Sequence, residues 1–341
     1  MKCFYALLLA FCLLLGGCAP QAQEQQKPYT ATFFTLFDTV TTIIGRGDNE
    51  AAFQERAQAI YQDLWYYHQL FDIYHDYAGV NNIKTINDNA GIRPVQVDPA
   101  MIQFLQDCKE YYHLTDGKVN VAMGSVLQLW HDARNDGMND PPNAKLPDLQ
   151  KLEAAAQHTD INCIVIDTEK STVYISDAHV RLDVGAVAKG WATQRAAENA
   201  PSGMLISVGG NVCATGPKLP DGTPWVIGIQ DPDQADKNLH TLSLTGGSVV
   251  TSGDYQRRYL VDGKFYHHII DPATQMPGEY WRSVSVICPD SGLADALSTA
   301  LFLMDRQTGE ALALQCGAEV LWVDAEGSEF MTTGFESQLR D

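Results

Sequence analysis

The sequence is short of basic residues. It holds 23 Lys and Arg against 42 Asp and Glu, which gives a formal net charge of −19 at pH 7. Such an acidic chain argues against nucleic-acid binding and against adhesion to anionic lipid, because both need positively charged surface. A bound cation is then the natural means of holding an anionic substrate, so a cation-dependent phosphate site is expected.

The sequence also lacks the cysteine pattern of a metal site and the glycine pattern of a dinucleotide-binding site. No C-x-x-C pair occurs, and the cysteines beyond residue 18 lie far apart, at Cys108, Cys163, Cys213, Cys288 and Cys316. This predicts no zinc site and, since their number is odd, at least one free thiol. No glycine cluster has the spacing of a dinucleotide fingerprint, and no internal repeat is present.

The first residues have the pattern of an export signal. Lys2 is followed by an apolar core from Ala6 to Leu15, which is too short to span a bilayer of about 30 Å. The core ends in Leu15-Gly16-Gly17-Cys18, the pattern of a lipobox. We therefore expect residues 1–17 to be a lipoprotein signal peptide and Cys18 to be acylated; the alternative is an ordinary signal peptide with Cys18 incidental.

Two further segments follow the expected signal peptide. Residues 18–28 are rich in Gln, Ala and Pro, as in a flexible tether. Residues 29–341 are expected to form one domain. The chain would then be held by lipid at the cell membrane, on its extracytoplasmic side.

Hydrophobic periodicity predicts an α+β fold with a mixed, largely antiparallel sheet and flanking helices. Predicted helices are Ala51–Tyr74, Asp98–His113, Val126–Ala133, Ala186–Asn199 and Leu293–Met304, with a surface loop at Asn135–Pro147. Predicted strands are Tyr29–Gly45, Cys163–Asp167, Thr172–Ser176, Met204–Val208, Trp225–Gln230, Leu239–Leu244, Tyr259–Val261, Phe265–Ile270 and Ser283–Cys288. A tight turn is predicted at Asp262-Gly263.

The segment Leu182–Gly190 is the richest in chemistry. Its pattern predicts a strand that ends in a glycine turn, after which a helix begins. The start of a helix presents free N–H groups and partial positive charge, which favour phosphate binding. Asp183 could accept from hydroxyl or ring N–H groups, and Lys189 could reach a phosphate. The alternative is a structural pair between Asp183 and Lys189 around the turn.

Three further segments could contribute to the same site. Ser207–Asn211 places adjacent glycines after an apolar strand. Thr251–Tyr255 precedes His267 and His268, which would point to opposite faces if they lie in a strand, so one could face a site. Asp295 and Thr299 lie at i and i+4 of a predicted helix and offer two oxygens to one hard cation. Asp295 could instead complement the positive end of its own helix.

In this order, these segments resemble the ApbE family of FAD:protein FMN transferases, and the resemblance covers nearly the whole chain beyond the tether. Its motifs are Leu36–Thr39, Ile86-Asn87, Asn89–Gly91, Gly117–Gly124, Asp183–Gly190, Gly209–Asn211, Thr251–Gly253, His268–Pro272 and Asp295–Thr299. The resemblance implies the architecture of that family, related to the T-fold.

The resemblance also implies roles for individual residues. FAD contacts are implied at Phe37, Lys118, Val119, Asn120, Asp183, Lys189 and Ile270. Magnesium ligands are implied at Ala186, through its main-chain carbonyl, and at Asp295 and Thr299. The chain departs from the family pattern at Val119, where an aromatic residue is usual, at Asn120, where Asp is usual, and at Gln275, where Gly is common.

The implied reaction is a phosphoryl-type transfer. A threonine hydroxyl of an acceptor protein attacks the FMN-side phosphorus of FAD, AMP leaves, magnesium neutralises the developing charge, and His268 takes the hydroxyl proton. The implied partner is an exported redox protein, such as a subunit of an electron-transport complex. Two alternatives remain from the residues alone: a magnesium-dependent FAD pyrophosphatase that releases FMN and AMP, and a flavin-binding lipoprotein without catalytic activity.

Overall fold

The computed structural model describes residues 28–47, 49–234 and 236–340. The predicted signal peptide, the lipobox cysteine Cys18 and nearly all of the tether lie outside these ranges. Within them, no helix is both long and apolar enough to cross a bilayer.

The described chain alternates short strands with helices. The strands are β1 (Tyr29–Leu36), β2 (Thr39–Gly45), β3 (Val95–Gln96), β4 (Ile164–Asp167), β5 (Thr172–Ile175), β6 (Leu205–Val208), β7 (Asn211–Ala214), β8 (Trp225–Gln230), β9 (Asn238–Leu244), β10 (Gly247–Gly253), β11 (Tyr259–Val261), β12 (Lys264–Tyr266), β13 (Ser283–Cys288), β14 (Glu319–Val323) and β15 (Glu329–Met331). The α-helices are α1 (Glu50–Phe71), α2 (Ile83–Asp88), α3 (Pro99–Leu114), α4 (Gly124–Asn139), α5 (Leu149–Ala156), α6 (Ala188–Asn199), α7 (Ser291–Phe302), α8 (Arg306–Gln315) and α9 (Thr333–Glu336).

The main sheet has eight strands in the order β1-β2-β6-β7-β10-β13-β14-β15. All seven neighbouring pairs run antiparallel. β13 lies inside the sheet, and all six of its residues are buried. The predicted α+β fold with a largely antiparallel sheet is confirmed.

Alternate residues of the strands supply two separate cores, as the period of two in a strand requires. Ile206 and Val250 pack into the larger core, which also takes residues from α1, α6 and α7. Their neighbours Leu205 and Val249 point to the opposite face, against the β8–β9 ribbon and α9. A third, smaller cluster joins α4 and α5 to β11 and β12.

Helix α7 explains much of this architecture. Ten of its twelve residues are buried, and Asp290 caps its start by accepting the Leu293 N–H at 2.8 Å. A helix that is apolar on all sides needs neighbours on all sides. α7 packs against α6, α8 and strands of the main sheet, which holds its polar residues Asp295 and Thr299 at a fixed place.

Several predicted elements are wrong in detail. The predicted strand Tyr29–Gly45 is a hairpin, because Phe37 and Asp38 both adopt left-handed backbone with φ of 51°. The predicted loop from Asn135 begins inside α4, which continues to Asn139. The strand predicted to run to Ile270 ends at Tyr266, and the predicted strand before Asp183 is reduced to one bridge, between Met123 and Arg181.

Other predictions hold. Residues 262 and 263 form the predicted tight turn, with left-handed φ values of 49° and 83°. The helix predicted from Asp98 starts at Pro99, with the Asp98 carboxylate accepting the Ala100 N–H at 2.8 Å. The five cysteines of the described residues are free, which confirms the expected free thiol.

Candidate active site

A single large cavity of about 720 Å³ contains every site residue that the sequence predicted within the described ranges. Its walls come from the β1–β2 turn, the end of α1, the loop before α4, the start of α6, α7 and the segment from Thr251 to Ile270. The predicted residues on its wall are Phe37, Lys118, Val119, Asn120, Asp183, Ala186, Lys189, His268, Ile270, Asp295 and Thr299. Segments up to 262 residues apart in sequence therefore meet around one space.

The start of α6 faces this cavity, and its own cap residue supplies no side-chain hydrogen bond. Val187 at the cap position makes no side-chain hydrogen bond to the first turn, and the turn before the helix, Val184 to Ala186, lines the cavity. The helix start therefore presents partial positive charge to the cavity, as a phosphate site requires.

Asp295 lies beside this helix start, on α7. Its side chain is 5% exposed, its Oδ2 accepts the Gly190 N–H at 2.8 Å, and its Oδ1 is 3.7 Å from the Lys189 ammonium. Gly190 permits this approach, since a Cβ there would collide with the Ser291 carbonyl and the Asp295 side chain. Lys189 therefore pairs with Asp295, and the alternative of a structural pair with Asp183 is not observed.

Thr299 lies one turn after Asp295 on α7 and also lines the cavity. The helix starts four residues before Asp295, at Ser291, and Asp290 supplies its cap. Asp295 therefore contacts α6 and the cavity as well as lying near the start of its own helix.

Asp183 is held by a network that begins in α2. The Asn87 side chain donates to the Leu182 carbonyl at 3.0 Å and accepts the Leu182 N–H at 2.7 Å, which fixes the backbone beside Asp183. The Asp183 Oδ1 accepts the Gly185 N–H at 2.9 Å, and its Oδ2 is 4.0 Å from His131 Nε2. Asn87 thus acts as a positioning residue for the carboxylate.

Phe37 reaches the cavity because of its unusual backbone. A left-handed φ is uncommon for a bulky residue, and such strain persists only where the surrounding structure holds it. The Phe37 N–H donates to His68 Nδ1 at 3.1 Å, and the two rings meet edge to face at 5.4 Å. His68 Nε2 lies 3.3 Å from the Tyr77 hydroxyl, which donates to Asp72 at 2.8 Å, so a chain of polar contacts supports the turn.

The loop before α4 is fixed by internal contacts. Lys118 places its ammonium 3.0 Å from both carboxylate oxygens of Asp271. Val119 is buried, although it forms part of the cavity wall. Asn120 donates to the Thr159 carbonyl at 2.8 Å and accepts the Ala122 N–H at 2.9 Å. A carboxylate could not make that donation, which gives a physical reason for Asn at this position.

The other departure from the family pattern also has a local explanation. Gln275 has a left-handed φ of 57°, a conformation that favours glycine. Its side-chain amide donates to the Pro272 carbonyl at 2.9 Å, and its own carbonyl accepts the Trp130 indole N–H at 2.8 Å. These contacts hold the non-glycine residue in place.

His268 lies beyond the end of β12, so the strand argument for the histidine pair was wrong, although only His268 lines the main cavity. His267 Nε2 bonds the Gly278 carbonyl at 2.9 Å and its ring packs on Phe302. The His268 Nδ1 is buried and has no hydrogen-bond partner in the described residues. Burial, then the charge of Arg257 and weaker charges of its other neighbours, lowers the pKa of His268 to about 3.

Some cavity residues were missed by sequence reasoning. Packing of the end of α1 on the β1–β2 turn brings His68, Asp72 and Tyr77 to the cavity. Their spacing in the sequence is like that at any helix end, so it did not mark them as site residues. Asn211 was noted only as part of a glycine motif, yet it is buried and lines the cavity, and its side-chain N–H has no partner in the part of the chain that the structure describes. Arg257 was passed over although it stands within the Thr251–Pro272 region.

The fold and cavity suit a class of protein that binds an anionic, partly aromatic ligand at a helix start, beside a buried carboxylate and a neutral histidine. The model of the ApbE family matches residues 37–322. The chain therefore belongs to the ApbE family.

Individual relatives agree with this assignment. The FAD:protein FMN transferase of Treponema pallidum is 31% identical over 277 residues, which are 76% of this chain and 75% of that protein. One from Klebsiella pneumoniae is 31% identical over 257 residues, 72% of this chain and 77% of that protein. The crystal structure of the ApbE protein of Thermotoga maritima aligns with a TM-score of 0.81 at 30% identity, covering 92% of this chain and all of that one.

Proposed function

We propose that this protein is an FAD:protein FMN transferase, which moves the FMN half of FAD to a threonine hydroxyl of an acceptor protein and releases AMP. The observation that carries the proposal is the meeting of the α6 helix start, Asp295 and His268 at one cavity. The names of the relatives support the same activity.

The cavity suits FAD in size and character. Its volume of about 720 Å³ lies within the range of small-molecule sites, roughly 300–1,000 Å³. Phe37, Met123, Leu127 and Ile270 give it an apolar part for an aromatic ring system, and the start of α6 with Lys189 gives it a positive part for phosphate.

Magnesium fits the types of oxygen ligand that α7 and the segment before α6 bring to the cavity. No group of three or more His, Cys, Asp or Glu side chains in the described residues is placed to hold a metal ion. Mg²⁺ is commonly held by one or two carboxylates together with substrate phosphates. Asp295, the Thr299 hydroxyl and the Ala186 carbonyl would supply such a set, and the bound ion would neutralise charge that develops on the phosphate.

His268 is the proposed base. In the reaction the threonine oxygen bonds to the FMN phosphorus, its proton passes to the imidazole, and the bond from that phosphorus to the bridging oxygen breaks, with the electron pair leaving on AMP. The ring is neutral at pH 7, as a base must be. The bound pyrophosphate would offset the positive charges of Arg257 and Lys189, which lower the pKa of His268 in addition to burial, and so raise that pKa.

The test is an in vitro transfer reaction. A soluble form starting at Tyr29 is incubated with FAD, Mg²⁺ and an acceptor domain, and intact mass and in-gel flavin fluorescence are recorded after denaturation. We expect an FMN-sized mass gain that is lost with chelator and lost when the acceptor threonine is replaced by Val. Asp295→Asn keeps an acceptor for the Gly190 N–H but removes the charge, so we expect transfer to fall by at least about 100-fold.

Two other outcomes would contradict the proposal. Steady release of FMN and AMP without an adduct would establish a pyrophosphatase. Tight FAD binding with neither product would leave a flavin-binding protein.

We also propose that the protein is attached to the extracytoplasmic side of the cell membrane through lipid on Cys18, and that its acceptor is an exported redox protein. The lipobox pattern supports the first statement. The second rests on the family resemblance and on the expected side of the membrane.

A further inference from the structure

Two arginines meet at the His268 end of the cavity without a carboxylate partner. Arg257 lines the cavity, on the segment after β10, and Arg134 projects from α4. Both also line a small adjoining space together with His268. Within the described ranges, neither guanidinium forms a hydrogen bond or an ion pair.

This arrangement is unusual for so acidic a chain. The sequence has 42 Asp and Glu, yet the structure holds two guanidiniums close to each other and to His131. Burial, and then the charge of Arg257, lowers the pKa of Arg134. Asp183, a carboxylate on the cavity wall, instead accepts the Gly185 N–H and faces His131. Like charges held together in this way favour binding of an anion.

The backbone of Arg257 adds an independent observation. Its φ is +43°, in the left-handed region, although it is neither Gly nor Asn. Strain of this kind is concentrated at ligand-binding sites. The adjacent Arg258 differs: its guanidinium stacks 4.0 Å from the centre of the Phe265 ring and does not line the cavity.

The positive charge around His268 therefore comes from two groups of residues. One is Lys189 with the start of α6, where the proposed ion ligands lie; the other is Arg257 with Arg134. Lys189 and Arg257 both line the cavity with His268, and the charges of both lower the pKa of its ring. A diphosphate presents two phosphate groups, and a nucleophile must reach only one of them.

We propose that Arg257, reinforced by Arg134, is a subsite for the phosphate of the leaving AMP, while the FMN phosphate lies at the start of α6. This rests on the proposed function. When the bond between the flavin phosphorus and the bridging oxygen breaks, that oxygen keeps the electron pair and its charge is neutralised by the Arg257 guanidinium. The subsite accepts a nucleoside monophosphate and accounts for the direction of cleavage, with FMN transferred and AMP released.

Binding of AMP and of adenosine to the mature protein tests this subsite. Isothermal titration calorimetry is done on the unaltered protein, Arg257→Gln, Arg257→Lys and the matched control Arg258→Gln. A charged hydrogen bond to phosphate is worth about 1.5–3 kcal/mol, so we expect Arg257→Gln to weaken AMP binding by roughly 10–150-fold. Arg257→Lys should recover part of the loss, and Arg258→Gln should bind AMP like the unaltered protein. Adenosine, which lacks the phosphate, should bind all four equally.

Equal AMP affinity in Arg257→Gln and the unaltered protein would overturn the subsite, as would a protein that does not bind AMP. A raised KM for the acceptor protein with unchanged AMP affinity would assign Arg257 to the acceptor and also overturn it. Because binding is measured without transfer, a protein that binds AMP through Arg257 but transfers no FMN would retain the subsite and refute only the proposed function.

Discussion

At the scale of single residues, His268 combines a buried Nδ1 with a pKa lowered to about 3, mainly by burial and then by Arg257. In the unfolded chain the ring titrates near its ordinary pKa of 6.5. Between roughly pH 6.5 and pH 3 the unfolded state therefore binds about one proton more than the folded state. The contribution of His268 to the free energy of unfolding must fall as the pH falls through this window.

This pH dependence can be measured by urea unfolding at pH 7, 6, 5 and 4. We expect His268 to contribute up to about 1.4 kcal/mol per pH unit within the window, so the His268→Asn variant should lose stability less steeply on acidification. At pH 7 the ring is mostly neutral in both the folded and the unfolded state. The stability of each protein at lower pH is therefore compared with its own stability at pH 7. Parallel curves for the variant and the unaltered protein would show that burial does not hold this ring neutral.

Residue identity alone could predict part of the site. The carboxylate, hydroxyl and histidine positions were named from their motifs, and all of them line the cavity. Their roles in binding and catalysis remain predictions. The position of Phe37 could not be derived from local preference, because a left-handed Phe-Asp turn is contrary to the usual Asn-Gly of such hairpins.

At the scale of elements, the crossing of α6 and α7 places the site. Gly190 lies where the two helices touch, and it donates its N–H to Asp295 at 2.8 Å. The sequence showed Gly190 as part of a motif, but it did not show why glycine is needed at that position. The turn glycine is Gly185, whereas Gly190 lies inside the helix and permits close packing.

A Gly190→Ala substitution tests this contact. The added methyl group would collide with the Ser291 carbonyl and the Asp295 side chain, so α6 and α7 must separate. We expect a loss of about 1–3 kcal/mol in the free energy of unfolding, together with a weaker response of the transfer rate to Mg²⁺. The measurements are chemical unfolding and a magnesium titration of the reaction.

Gly246→Ala is the matched control. A Cβ at this position would meet only the Ala214 carbonyl, at 4.0 Å, which is an ordinary contact distance. Its stability and metal response should resemble those of the unaltered protein. If Gly190→Ala behaved in the same way, the proposed reason for the glycine would be wrong.

At the scale of the whole molecule, net charge and the proposed anchor are connected. A chain of net charge −19 gains nothing from anionic lipid, and no membrane-spanning helix is found in the described residues. The membrane attachment proposed above would use covalent lipid on Cys18. Stable anchoring usually takes more than one acyl chain, in agreement with a lipidated N-terminal cysteine.

Expression of the full chain with labelled palmitate, followed by membrane fractionation, tests the anchor. We expect Cys18→Ser to abolish labelling and to move the protein out of the membrane fraction. Cys12→Ser, within the apolar core of the signal, should keep both label and membrane fraction. If neither the unaltered protein nor Cys12→Ser takes up labelled palmitate, the alternative of an ordinary signal peptide is supported.

Local chemistry by itself determined the α+β class, the caps at Asp98 and Asp290, the turn at Asp262-Gly263 and the residue types available for metal and proton chemistry. Each depends on neighbours within a few residues, so a short window of sequence contains the cause. The hairpin at Phe37, the end of β12 before His268 and the support from His68 depend instead on contacts between distant segments.

Tertiary structure alone decided how those groups combine. Only packing brings Asn87 to Leu182 and Lys118 to Asp271, across 95 and 153 residues of chain. The same packing leaves Arg257 and Arg134 together without an ion-pair partner among the described residues, although nothing in their separate surroundings in the sequence marks them as a pair. Electrostatic energy depends on distance in space, and the fold sets that distance.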